Sequence, residues 1–129
     1  TMPTITLLYA GMLGIMSIVL TIFIVFIRSK TGISVGDGGN RELLLAIRRH
    51  GNFLEYVPIA LILMALLELS GLSNLTMHIF GIVLCVARIL HATGLKLEDS
   101  STLGRGLGAG GTFLLTTIMS AWAIVEYFV

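Results

Sequence analysis

Four long apolar runs alternate with short polar segments along the chain. The first, Thr4 to Ile27, holds no charged residue; it exceeds a signal-peptide core and no basic stretch precedes it, so it predicts a retained membrane helix. Residues 28–40, with the run SVGDGGN, predict a loop. A second helix is expected from Asn40, a good N-cap, to about Ser70, with Gly71 as its stop. At roughly 45 Å it would outrun the hydrocarbon core, so its first two turns should protrude into water. Pro58 should bend it, because proline cannot donate to the carbonyl of Leu54. The third run spans Ser73 to about Lys96, and the fourth runs from near Leu103 to Tyr127, opening on GRGLGAGG. The pattern predicts a single domain over 1–129. It is an all-α integral membrane protein, with transmembrane helices at about 4–28, 40–70, 73–96 and 103–128 in an antiparallel bundle.

Composition sharpens this. Of 129 residues 56% are hydrophobic and 12% charged, half the share of an ordinary soluble domain. That excludes a soluble enzyme, a disulfide scaffold and a disordered chain. Cys85, the lone cysteine, has no partner for a bridge and no second thiol for a metal pair, so no metal is expected. A net charge of +1 gives no reason to expect nucleic acid. The positions of the charges say more than their sum. All eight basic residues lie between 28 and 105: Arg28, Lys30, Arg41 and Lys96 fall in or beside the first and third loops, Arg105 at the edge of the third, and none in the turn Gly71–Ser73. The positive-inside rule then predicts both termini outside and loops 1 and 3 cytoplasmic, with Trp122 and Tyr127 at the outer interface.

Three ionisable residues fall at membrane depth: Arg48, Glu55 and Arg88. Counted from the turn at Gly71–Ser73, Glu55 lies about 24 Å along one helix and Arg88 about 22 Å along the next, while His91 is level with Asn52. Arg48, Asn52 and Glu55 share one face at i, i+4 and i+7, with Tyr56 beside Asn52; Arg88 and His91 stand at i, i+3. Arg28 and Arg105 sit at the same basic end. The expected result is a polar pocket near the inner leaflet, rich in guanidinium, with one buried carboxylate. Read structurally, Glu55–Arg88 is an internal ion pair tying two helices together, and for that pair alone the structural and functional readings weigh equally. In the whole set guanidiniums outnumber carboxylates, which calls for an anionic ligand. Two carboxylates, one amine and an apolar-facing end would fit, and glutathione has that charge pattern.

The segment RRHGNFLEYVP, Arg48 to Pro58, resembles the MAPEG family, membrane-associated proteins of eicosanoid and glutathione metabolism. The family's second helix carries an arginine, Asn four residues on and Glu three further, often followed by Tyr and Pro. Arg48, Asn52, Glu55, Tyr56 and Pro58 match it. ARILHATG, Ala87 to Gly94, resembles the third-helix segment, and the short form with VGDGGN looks most like bacterial members. The resemblance implies a homotrimer in the bacterial inner membrane, binding glutathione as co-substrate between subunits near the cytoplasmic face, with a lipophilic second substrate arriving from the lipid bilayer. Carried over by position, Arg48, Asn52, Glu55 and Tyr56, helped by Arg88, would hold the γ-glutamyl end. Arg28 and His50 of an adjacent subunit would face the glycine carboxylate. Arg105 would be the catalytic residue beside the sulfur, since a fixed cation favours the nucleophilic thiolate. Where leukotriene-branch transferases carry tyrosines on the third helix, this chain has His91 and Leu95; His91 resembles the histidine of the prostaglandin E synthase branch and is read as pocket-lining.

The expected activity is glutathione transfer to electrophiles or reduction of hydroperoxides. A non-catalytic MAPEG-like binding or scaffold protein is the alternative, and a small multidrug-type exporter a weaker one, because its first helix would need a carboxylate. His78 and buried Cys85 are read as packing residues, and Glu68 and Glu126 as carboxylates reaching water at the outer end. Gly104/Gly108 and Gly106/Gly110, each i, i+4, are expected to let helices approach closely.

Overall fold

The computed structural model describes residues 2–94 and 103–129. Those residues form four helices: α1 (Thr4–Thr31), α2 (Arg41–Leu69), α3 (Asn74–Gly94) and α4 (Leu103–Phe128). All four are long and apolar enough to cross a membrane. The register of the third loop, including Leu95 and Lys96, lies outside the described residues.

Local chemistry sets the helix ends. Asn40 has extended backbone angles and its side chain accepts from the Leu43 N–H at 2.9 Å, while Glu42 lies in the positive first turn. Gly32, at φ 74, closes α1 by donating its N–H to the Arg28 carbonyl. Consequently α1 runs on past residue 28 through Ser29 and Lys30 to Thr31, since the first residue able to adopt the left-handed cap is Gly32. Pro58 lies inside α2 on an exposed position, and the helix continues through it to Leu69.

The helices stand in the order α1, α2, α4, α3 around the bundle, with α2 and α3 touching across its middle. Phe53, Val57, Ala60, Met64 and Leu67 form the buried seam of α2 at helical spacing. Against it pack Leu13 and Leu20 of α1, Met77, Phe80 and Leu84 of α3, and Leu115 and Met119 of α4. Large apolar side chains such as Ile15, Ile22, Phe26, Phe113 and Ile124 point outward, the distribution that lipid and not water would select.

At the turn end, Glu68 of α2 is not simply solvated. Its carboxylate accepts from the backbone N–H groups of Ile5 and Thr6 and from the Thr6 hydroxyl, at 2.8 to 2.9 Å, and so caps the N-terminus of α1 from another helix. Nearby, Tyr9 lies against Gly81 and shares a 2.7 Å hydrogen bond with His78 Nδ1. A side chain at position 81 would occupy the Tyr9 ring, so this glycine sets the α1–α3 approach.

Candidate functional site

Two polar residues are buried toward the C-terminal end of α3: Arg88, 2% exposed, and His91, 4% exposed. Arg88 Nη2 donates to Asn52 Oδ1 at 2.7 Å. Two longer contacts surround it, Nη1 to Thr112 Oγ1 at 3.4 Å and Nη2 to His91 Nδ1 at 3.5 Å. The guanidinium lies 5.8 Å from the Phe53 ring centroid, and its Nε has no hydrogen-bond partner. Thr112 in turn donates to the Gly108 carbonyl at 2.9 Å, which leaves its oxygen to accept from Arg88. A guanidinium at such depth costs about 3 kcal/mol by insertion scales, and a short charge-assisted hydrogen bond returns about 1.5–3 kcal/mol of that.

The α3–α4 approach is set by glycine. A Cβ on Gly108 would meet the Ala87 carbonyl, the His91 nitrogen at 2.5 Å and His91 Cβ at 2.7 Å. Gly104 faces the Leu90 carbonyl and Gly111 the Ala87 side chain. Of the two expected pairs, Gly104/Gly108 is the contact. Gly106/Gly110 is not: both face open space, and the stripe continues through Gly111, i+3 from Gly108, instead.

Between α2 and α4, over the floor made by α3, lie two cavities that share Asn52. The one nearer the basic end, about 260 Å³, is lined by Arg41, Leu44, Leu45, Arg48, Asn52, His91 and Arg105. The second, about 320 Å³, is lined by Asn52, Tyr56, Arg88, Ala109, Gly110, Thr112 and Phe113. They form one groove that grades from guanidinium-rich to apolar, and its described lining holds no carboxylate. Arg88, Arg105, Arg48 and Arg49 all lie close enough for their charge to act on His91.

Arg48, Asn52, Tyr56, Arg88, His91 and Arg105 are thus brought together. Glu55, Arg28 and His50 are not brought to the groove of this chain. Glu55 is exposed and lines neither cavity, so the expected buried carboxylate and Glu55–Arg88 ion pair do not form; the recorded ion pair among described residues is Lys30–Glu42 at 3.9 Å, at the surface. The cause is azimuth. Glu55 stands about 160° around α2 from the seam residue Phe53, and Asn52 about 100° away on the flank that Arg88 can reach; Arg48, within about 20° of the Glu55 azimuth, is exposed as well and reaches the groove with its longer side chain. Arg28 donates to the carbonyls of Ile33 at 3.2 Å and Gly36 at 2.8 Å, and His50 Nε2 lies 3.1 Å from the Thr21 hydroxyl, facing α1. Both therefore sit on the α1–α2 face, away from the groove.

Sequence reasoning missed Arg41 and Thr112 as lining residues. Arg41 is seven residues before Arg48 and Thr112 seven after Arg105, so an i, i+7 search from each arginine would have found them.

Residues 6–125 match the MAPEG family. Over 113 residues, 88% of this chain and 86% of the other, the chain is 39% identical to "Inner membrane protein YecN" of Escherichia coli strain K12, and equally to that of strain CFT073. No solved structure matches the chain.

Proposed function

The chain belongs to the MAPEG family, and from that premise we propose that it is a membrane-embedded glutathione-dependent transferase or peroxidase acting on lipophilic electrophiles or hydroperoxides. One observation carries the reading: a groove lined by Arg41, Arg48, Arg88 and Arg105 opens toward apolar walls at Tyr56 and Phe113. A small dianion with a reactive, partly apolar end suits that gradient.

In this reading Arg48, Asn52 and Tyr56 hold the γ-glutamyl end, and Arg88 fixes the Asn52 carbonyl oxygen so that the amide N–H₂ faces the ligand. Glu55, on the exposed flank of α2, takes the ammonium where the ligand overhangs the groove. Arg28 and His50 reach the glycine carboxylate from the α1–α2 face of a neighbouring copy, in the homotrimer that the family resemblance implies. His91 lines the inner wall. Arg105, in the first turn of α4, holds the sulfur as thiolate, aided by the positive helix end. The sulfur lone pair then forms an S–C bond to the β-carbon of an activated alkene, and the proton released by the thiol ends on the adjacent carbon. With a hydroperoxide the sulfur attacks oxygen, the O–O bond breaks to release the alcohol, and a second glutathione thiol converts the sulfenic acid to disulfide and water.

The likeness to an inner membrane protein supports the inner membrane as its location, and the basic residues of the first loop support that end facing the cytoplasm. Glutathione titrated into the purified protein is expected to give a saturable thiolate difference spectrum, absent in Arg105→Ala. No saturable binding would overturn the proposal. Binding with neither thiolate nor turnover would reduce it to the non-catalytic reading.

A further inference from the structure

A further cavity, of about 430 Å³, lies on the opposite side of the bundle between α1 and α3. Its walls are apolar: Val19, Leu20 and Phe23 from α1, Ile89 and Ala92 from α3. Arg49, half-buried, is the charged residue among its described lining, and Thr93 stands beside it at the end of α3. The glutathione reading does not use this cavity, and none of its lining residues borders the α2–α4 groove.

We infer that this cavity is a binding site for one anionic phospholipid, with its phosphodiester on Arg49 and an acyl chain lying along Phe23, Leu20 and Val19. Depth and polarity agree. Arg49 is eight residues from the start of α2 and Phe23 eight from the end of α1, so both lie about 12 Å from the basic end. Helices of about 42 Å overhang a hydrocarbon core of about 30 Å by roughly 6 Å on each side. The Arg49 backbone is then about 6 Å below the headgroup boundary, a distance that an arginine side chain bridges by extending toward the interface. Val19 lies about 6 Å deeper still and Met16 about 10 Å, so the lining turns wholly apolar in the direction an acyl chain runs.

Charge complementarity selects the headgroup. A guanidinium in an apolar lateral groove attracts a phosphodiester, with which it makes two parallel hydrogen bonds, and a zwitterionic headgroup brings its own cation to compete. Basic pockets between transmembrane helices hold anionic headgroups by this same balance.

The test uses the full chain in detergent, with dioleoylphosphatidylglycerol or dioleoylphosphatidylcholine added and bound lipid counted by native mass spectrometry. The phosphatidylglycerol is expected to be retained about fivefold more tightly than the phosphatidylcholine, the worth of one basic side chain at an anionic surface. Arg49→Gln should remove the preference. Val19→Trp should remove retention by filling the groove; Val19 is exposed, so this variant keeps the test decisive if Arg49→Gln does not fold. Equal retention of the two lipids, undiminished preference in Arg49→Gln, or undiminished retention in Val19→Trp would each overturn the inference. So would displacement of the phosphatidylglycerol by equimolar oleate, which would assign the site to a free carboxylate amphiphile.

Discussion

Replacing Asn52 by Leu strands the Arg88 guanidinium. The 2.7 Å hydrogen bond to Asn52 is its one short contact, and the contacts at 3.4 and 3.5 Å lie at the limit of hydrogen-bond geometry. Losing a short bond to a buried charge costs about 1.5–3 kcal/mol, and leaving that charge without its partner raises the figure toward about 3–5 kcal/mol. Arg88→Met should behave oppositely. It removes an insertion cost of about 3 kcal/mol and leaves behind an Asn52 that is half-buried and can turn to the groove, so its net effect is within about 1 kcal/mol of zero. The double variant should therefore recover most of what Asn52→Leu loses, giving a coupling energy of about 3 kcal/mol. Reversible unfolding in mixed micelles, run on all four proteins, measures it. Interhelical hydrogen bonds inside membranes average about 0.6 kcal/mol in such cycles. A coupling at or below that average would show that Arg88 does not depend on Asn52, and the description of the groove floor would be wrong.

Three further substitutions probe separate parts of the molecule. Gly108→Ala should force α4 away from Ala87 and His91, costing about 1–3 kcal/mol in the same unfolding assay and weakening glutathione binding, whereas Gly110→Ala, facing open space, should change stability by less than about 0.5 kcal/mol. Arg105→Ala should lower kcat by about 10²–10³ while glutathione affinity changes only a few-fold, as expected for loss of a group that stabilises developing charge; steady-state kinetics and equilibrium dialysis separate the two. Glu68→Gln should free one or more of the Ile5 and Thr6 donors, destabilise α1 by about 1–2 kcal/mol, and speed hydrogen exchange at those two amides with little effect at Arg88.

The helices were legible because their signals are local. Asn40 as a cap, Gly71 as a stop and an uncharged run through Ile27 each act within a turn or two. Counting residues from the middle turn also places Arg88, Asn52 and His91 together, because rise per residue is nearly constant. The same count put Glu55 level with Arg88, and there it misled. Depth is carried by the count alone, but facing depends on which seam of α2 the other helices cover, and Phe53–Val57–Ala60 turns Glu55 outward. The glycines of α4 failed for the same reason: Gly104, Gly106, Gly108 and Gly110 form two equivalent i, i+4 series, and only the packing of α3 chooses between them. Glu68 was read as solvated because its partners, Ile5 and Thr6, lie more than sixty residues away in the chain.

The groove is held to recognise negative charge at both ends of a small peptide, and comparing glutathione with its diethyl ester tests that most directly. Calorimetric titration of both ligands into the purified protein at low salt should show the ester, stripped of both carboxylates, binding at least about tenfold more weakly, with the difference shrinking in Arg48→Met. Equal affinity for the two, or no saturable heat from either, would contradict the account.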